Sequence, residues 1–128
     1  MNKGYLLDTD VLIAYLRGYG QAVNLITTLA DQNVNLSISV ITIIEIETGI
    51  RNKEKEKTYE LIDILEICFL DRAIAHLSGA FLREFRKKGM KLGLADVIIG
   101  ATAIHHELTL ITCNTNHYPM KGIQLYPF

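Results

Sequence analysis

Three carboxylic acids in this sequence have unusually apolar neighbours. Asp8 follows a Tyr-Leu-Leu run, Glu45 lies within Ile-Ile-Glu-Ile, and Asp96 lies within Leu-Ala-Asp-Val-Ile-Ile. A buried carboxylate is costly unless it is paired, hydrogen-bonded or bound to a metal ion. Most of the other acidic residues have polar neighbours, which is typical of a solvated surface. Asp8, Glu45 and Asp96 are therefore the candidate residues for chemistry.

Three carboxylates that meet in one pocket repel one another, and their pKa values rise unless a cation compensates. Mg²⁺ and Mn²⁺ are hard cations that prefer such oxygen ligands. A bound ion of this kind activates water and stabilises charge on a phosphodiester. The set therefore predicts metal-dependent phosphodiester hydrolysis. The alternative is three local roles, in which Asp8 and Asp96 cap helices and Glu45 closes a capping box with Thr42.

The elements that must position these residues alternate between strand and helix. Asp8 is at a joint, with a strand predicted over about 4–7 and a helix over about 9–16. The run at 38–46 is compatible with one long strand, but Thr42 and Glu45 favour a helix from Thr42 to Gly49. The other strands are predicted at 33–40, 66–70, 109–112 and 123–125, and the other helices at 21–30, through 61–65, from Asp71 to near Gly89, and from Leu94.

This alternation predicts a parallel α/β sheet covered by helices on both faces. The carboxyl ends of parallel strands share one edge of the sheet, where ligands and catalytic groups gather. Asp8, Glu45 and Asp96 each fall at a strand end or in the first turn of the next helix. We therefore expect the three carboxylates to converge on one pocket.

Composition bounds the class of protein. The length of 128 residues predicts one domain, 1–128. The composition, with 49% hydrophobic and 21% charged residues, excludes a disordered chain. The net charge of −1 means that nucleic-acid binding requires a local basic patch. Five cations just before Asp96 are the candidate phosphate-binding residues, although cations also favour helix ends. They are Arg83, Arg86, Lys87, Lys88 and Lys91.

Several features predict a cytoplasmic protein. The first residues do not resemble a secretory leader, and no apolar run approaches the roughly 18 residues that span a bilayer. Cys68 and Cys113 lack CxxC spacing and are predicted to be buried free thiols in a reducing compartment. His105 and His106 are expected at the surface or the edge of the core.

Four ordered segments carry a family resemblance, namely 7–13, 39–49, 94–103 and 108–118. In these segments the chain resembles the PIN-domain ribonucleases, and among them the VapC-like toxins of toxin–antitoxin pairs. The resemblance implies a three-layer α/β/α sandwich with a mainly parallel sheet of four to five strands. It also implies dependence on Mg²⁺ or Mn²⁺, an RNA substrate, a cognate antitoxin protein and a homodimer.

The resemblance implies metal ligation by Asp8, Glu45 and Asp96. Family members often have a fourth acidic residue where this chain has Asn114, so the number of metal ions stays open. Asn114 would ligate through its carbonyl oxygen or orient a water molecule. Thr112, like Thr9, would hold the pocket together by hydrogen bonds.

Two other functions remain as alternatives. One is a PIN-like binding module without catalysis. The other is a phosphatase with an aspartyl nucleophile, since Asp8-Thr9-Asp10 has the Asp-x-Asp spacing of such enzymes. That pattern expects Thr or Val where this chain has Leu12.

Overall fold

Strands and helices alternate along most of the chain, as the sequence predicts. The computed structural model describes residues 3–128. Within this range the strands are β1 (Tyr5–Leu7), β2 (Leu36–Ser39), β3 (Glu66–Cys68), β4 (Thr109–Thr112) and β5 (Gln124–Pro127). The α-helices are α1 (Thr9–Leu16), α2 (Gly20–Asp31), α3 (Val40–Gly49), α4 (Lys55–Ile64), α5 (Arg72–Lys87) and α6 (Leu94–His105).

The sheet has the strand order β3-β2-β1-β4-β5, and each neighbouring pair is parallel. The central strand β1 has β2 on one side and β4 on the other. The chain reverses its direction of travel across the sheet at this point, and such a switch point leaves a crevice beyond the carboxyl ends of the strands. Asp8 directly follows β1 and therefore lies at the crevice.

The core fills both faces of the sheet, because neighbouring residues of a strand point to opposite faces. Leu7 is fully buried with Val11 and Ile26 on the face covered by α1 and α2. Leu6 is fully buried on the other face with Phe85 and Val97, which belong to α5 and α6. Each such side chain contributes about 2 kcal/mol by burial. The apolar strand thus fixes the position of Asp8 from both sides.

The predicted capping box of Thr42 and Glu45 is wrong. Helix α3 begins at Val40, and the Ser39 hydroxyl caps it by accepting from the Ile41 N–H at 3.1 Å. Ser39 ends β2 and so meets the free N–H groups before Thr42 does, whereas Thr42 is fully buried in the first turn. The segment 38–46 is therefore strand and then helix, with the boundary two residues earlier than predicted.

Other differences from the predictions are local. Asn33, predicted as the start of a strand, has a φ of 59° after α2, and β2 begins only at Leu36. Cys68 is half-buried and Cys113 is exposed, so the prediction of buried thiols is wrong for Cys113. Cys113 directly follows β4, at the edge of the sheet formed by the carboxyl ends of the strands. Among residues 3–128, none of the helices combines the length and apolarity needed to cross a bilayer.

Candidate active site

Asp8 is the most enclosed carboxylate at the crevice, with 6% of its surface exposed. It is the N-cap of α1, and its Oδ1 accepts from the Thr9 N–H at 2.8 Å. The local capping role that the sequence allowed is therefore real, but it uses only one oxygen. The Oδ2 atom accepts from the hydroxyls of Thr112 at 2.8 Å and Tyr118 at 2.7 Å. Three donors thus hold the buried carboxylate in one orientation.

Tyr118 joins Asp8 to Asp96. Its hydroxyl lies 2.7 Å from Oδ2 of Asp8 and 3.4 Å from Oδ1 of Asp96. A phenol has one proton, so the shorter contact to Asp8 is the donated hydrogen bond. Gly100 on α6 makes room for this arrangement, because a Cβ there would lie 3.1 Å from Sδ of Met120 and 3.4 Å from the Tyr118 ring. The structure therefore brings Asp8 and Asp96, two of the three carboxylates that we expect to converge, to one hydroxyl.

Asp96 is half-buried in the first turn of α6. The N-cap of this helix is Gly93, so the local reading of Asp96 as a cap is wrong. Its Oδ2 lies 3.4 Å from Nδ1 of His117, which is exposed. Asp96 thus faces Tyr118 on one side and His117 on the other.

Glu45 is connected to Asp8 indirectly, through Thr9. The Thr9 hydroxyl lies 2.6 Å from Oε1 of Glu45 and 3.0 Å from Oγ1 of Thr42. Since Thr9 has one hydroxyl proton, it donates to Glu45 and accepts from Thr42. Thr9 therefore links the exposed Glu45 to the buried Asp8, whose Oδ1 accepts from the Thr9 N–H.

Asp10, like Tyr118, is a site residue that the prediction from sequence did not include. Its Oδ2 accepts from the Asn114 side-chain amide at 2.8 Å, and its buried Oδ1 has no hydrogen-bond partner. The sequence signal is the spacing of Asp8 and Asp10 at a strand–helix joint, which by itself indicates only the Asp-x-Asp pattern of the phosphatase alternative. Asn114 also donates its backbone N–H to the Thr112 hydroxyl at 3.0 Å. The structure thus places the predicted residues Asn114 and Thr112 in contact with Asp10 and Asp8.

Two carboxylates of the site have raised pKa values, as expected where acidic groups are buried close together. Burial raises the pKa of Asp10, and the charge of Asp8 raises it further. Burial also raises the pKa of Asp96, with His117 opposing the shift and Asp8 adding to it. The pKa of Tyr118 is raised for the same reasons, burial first and then Asp8, so this hydroxyl stays protonated as a donor.

We expect Asp10→Asn to raise the unfolding temperature by about 3 °C at pH 7 without added metal. The folded-state pKa of Asp10 lies above its ordinary 3.8. Folding therefore disfavours the charged form, and that cost is present at pH values above the raised pKa. The advantage of the variant should fade as the pH falls through the raised pKa towards 3.8, below which both states bind the proton.

The measurement is thermal unfolding in EDTA at pH 7 and pH 4. Asp63→Asn on the exposed surface of α4 is the matched control. An Asp10→Asn variant that is no more stable than the control at pH 7 would contradict the prediction.

The carboxylate oxygens at this site are suitable ligands for a hard divalent cation, but their positions only partly fit the binding of one ion. Carboxylate oxygens are the preferred ligands of Mg²⁺ and Mn²⁺, and the unpartnered Oδ1 of Asp10 is a buried acceptor of this kind. Among residues 3–128, however, no three Asp, Glu, His or Cys side chains are placed so that they could hold one ion. Shared ligation by Asp8, Glu45 and Asp96 therefore stays a prediction.

The basic segment is exposed and lies outside the acidic pocket. All five predicted phosphate-binding residues are exposed. Lys88 lies 4.0 Å from Glu84 and 5.2 Å above the Phe85 ring, and no ion pair in the described chain joins the segment to the site. The segment ends at Lys91, two residues before the N-cap of the helix that carries Asp96. His105 is exposed and His106 is half-buried, in agreement with their predicted positions at the surface or the edge of the core.

A parallel sheet with one buried and two half-buried aspartates at its switch point defines a class of α/β proteins with an acidic crevice. The family model described as the PIN domain matches residues 5–122. The chain belongs to the PIN-domain family. The resemblance seen in the sequence and the predicted α/β/α fold are both confirmed.

Individual proteins match over nearly the whole chain. Ribonuclease VapC10 of Mycobacterium tuberculosis is 35% identical over 115 residues, which cover 90% of this chain and 86% of that protein. A toxin–antitoxin complex from Klebsiella pneumoniae contains a chain with 30% identity and a TM-score of 0.77, covering 97% of this chain and 99% of that one. DNA-bound VapBC from Salmonella typhimurium shares the fold, with a TM-score of 0.84, 23% identity and coverage of 99% and 98%.

Proposed function

We propose that this protein is a divalent-metal-dependent endoribonuclease and the toxin of a toxin–antitoxin pair. The RNA-cleaving activity has the stronger support, because the chain is a PIN domain related to ribonucleases named VapC. The observation that supports a hydrolytic site is the pair of Asp8 and Asp96 on one buried hydroxyl, with Asp10 beside them. Such a concentration of negative charge suits an enzyme that binds a cation and a phosphodiester together.

Asp8 and Asp96 would hold the metal ion, with Glu45 or Asp10 as further ligands. When bound, Mg²⁺ or Mn²⁺ supplies positive charge to the phosphodiester and makes water a better nucleophile. The chain's own task is to fix the ligands. Thr112 and Tyr118 orient Oδ2 of Asp8, and Thr9 holds Glu45. Asn114 positions Asp10 through its amide N–H, which leaves its amide oxygen to orient water or to ligate.

The basic segment would bind the RNA backbone. Arg86 and Lys91 line a surface cavity of about 420 Å³ at the end of α5. Lys and Arg side chains bind phosphates without reading the base sequence. A backbone held here would run next to the first turn of α6, where Asp96 lies. The placement supports a role for these cations in substrate affinity.

The proposed partner is an antitoxin protein that covers the acidic pocket. The similar chain from Klebsiella pneumoniae was solved within a toxin–antitoxin complex. A basic side chain inserted among Asp8, Asp10 and Asp96 would inhibit, because it pairs with the carboxylates that the metal ion needs. We also propose that the protein forms a homodimer and is located in the cytoplasm.

The test is cleavage of a panel of RNAs, including tRNA, by the folded protein freed of any partner. We expect cleavage with Mg²⁺ or Mn²⁺ and none with EDTA. Cleavage that persists in EDTA would contradict the metal dependence alone. No hydrolysis of any RNA would favour the binding-module alternative, and hydrolysis of phosphomonoesters alone would favour the phosphatase.

A further inference from the structure

A cavity of about 540 Å³ lies directly beside the acidic site. Asp10 and Cys113 form the end that adjoins the carboxylates, and Phe128 contributes an apolar wall. The far end is formed by Arg17 and Tyr19 in the turn between α1 and α2. Cavities of this size hold small organic groups. Whatever occupies it extends from the acidic site to a cation and an aromatic ring.

Tyr19 presents an aromatic ring to solvent at this cavity. The residue is 62% exposed, although its backbone is held by an N–H bond to the Ala14 carbonyl at 3.0 Å. It is the N-cap of α2, and its side chain makes no capping hydrogen bond. In the described chain no other aromatic ring packs on it. An exposed ring on a fixed backbone is the usual platform on which an unpaired RNA base stacks.

Arg17 lines two depressions of the surface, and each of them includes a carboxylate of the acidic site. It lines this cavity with Asp10, and it also lines a neighbouring groove of about 100 Å³ together with Glu45. No carboxylate within residues 3–128 lies at ion-pair distance from its guanidinium. The guanidinium suits phosphate recognition by geometry as well as charge. A phosphate that approaches repelling carboxylates needs such a compensating cation.

We propose that this cavity is a nucleotide subsite for the RNA strand, in which a base stacks on Tyr19 and the adjoining phosphate binds Arg17. The inference rests on the proposed ribonuclease function and names the part of the substrate that the cavity receives. A nucleotide fits the cavity because it combines a flat apolar ring with an anion. The subsite would position a nucleotide near the cleaved bond without selecting its base, because every base offers a flat face for stacking.

The experiment measures cleavage kinetics on a short single-stranded RNA that the wild-type protein cuts at one site. Tyr19→Ala should raise KM about tenfold, the usual scale for a lost base–aromatic stack, with kcat within about twofold. Tyr19→Phe keeps the ring and should match the wild type. An abasic nucleotide at the stacked position should cause the same loss in the wild type and almost no further loss in Tyr19→Ala.

Arg17 is tested by the salt dependence of KM. Arg17→Gln should raise KM and reduce the slope of log KM against log salt by about one. Lys57→Gln on the exposed surface of α4 is the matched control and should leave the slope unchanged. Arg17 is also the C-cap of α1, where a cation stabilises the helix end, so Arg17→Gln should slightly lower the unfolding temperature. Arg17→Lys restores this charge but not the planar phosphate contact. It should therefore recover the unfolding temperature more fully than KM.

The outcomes separate this proposal from the proposed function. If the wild type cleaves RNA but Tyr19→Ala and Arg17→Gln have unchanged KM values, the subsite is overturned and the ribonuclease stands. If both variants lose kcat and unfolding temperature instead of substrate affinity, their role is structural and the subsite is overturned. If the wild type cleaves no RNA, the proposed function fails and the subsite fails with it.

Discussion

Replacing Asp8 with Asn is expected to lower the rate of RNA cleavage by about 100-fold or more, with the fold intact. The substitution keeps the shape of the side chain but removes the charge that would bind the cation at the centre of the site. Asn can still accept from Thr112 or Tyr118, which donate to Asp8 in the wild type. The loss of one capping bond costs about 1 kcal/mol, and the removal of repulsion with Asp10 offsets part of it.

Asp96→Asn should have an effect of similar size, since Asp96 is the second carboxylate at the Tyr118 hydroxyl. Cleavage rates are compared with those of Asp63→Asn, which makes the same chemical change on the exposed surface of α4. Circular dichroism and thermal unfolding check that each variant is folded. Full activity in folded Asp8→Asn and Asp96→Asn proteins would contradict the assignment of the site.

Mn²⁺ is expected to stabilise the wild-type protein in the absence of RNA. An ion at about 100 times its Kd adds about 2.7 kcal/mol to the free energy of unfolding, which raises the unfolding temperature by about 10 °C. The physical reason is the repulsion among Asp8, Asp10 and Asp96, which burial intensifies and which no Lys or Arg in the described chain neutralises by an ion pair. The measurement is thermal unfolding across a Mn²⁺ titration.

The same titration on variants identifies the ligands without any assay of activity. Asp96→Asn should lose most of the Mn²⁺-dependent stabilisation, whereas Asp63→Asn should keep all of it. Equal stabilisation of the wild type and Asp96→Asn would mean that the ion binds elsewhere. If Mn²⁺ stabilised neither the wild type nor either variant, the result would contradict the proposed metal site.

The fold was largely predictable because its signals are local. Continuous apolar strands such as Tyr5–Leu7 indicate burial on both faces, and the intervening helical periodicity indicates parallel crossovers. The sequence predicts the start of α3 two residues too late, because Ser39 and Thr42 both offer a capping hydroxyl over a short distance. The end of the buried strand, which is a tertiary feature, selects Ser39.

The acidic residues of the site were predictable only in part. Asp8 and Asp96 are conspicuous because apolar residues surround them in sequence. Asp10 is inconspicuous, since an acidic residue in the first turn of a helix is ordinary. Its role became visible through the Asn114 contact and the unpartnered Oδ1.

Taken alone, the sequence determined the parallel α/β class, the family resemblance, and the positions of Asp8 and Asp96 at strand–helix joints. The contacts of these carboxylates depend on the tertiary structure. Thr112 and Tyr118 lie 104 and 110 residues from Asp8 along the chain, yet both donate to one of its oxygens. The pairing of Leu7 with Ile111 between β1 and β4 brings them together. That register depends on how the whole core packs, which no local pattern of residues specifies.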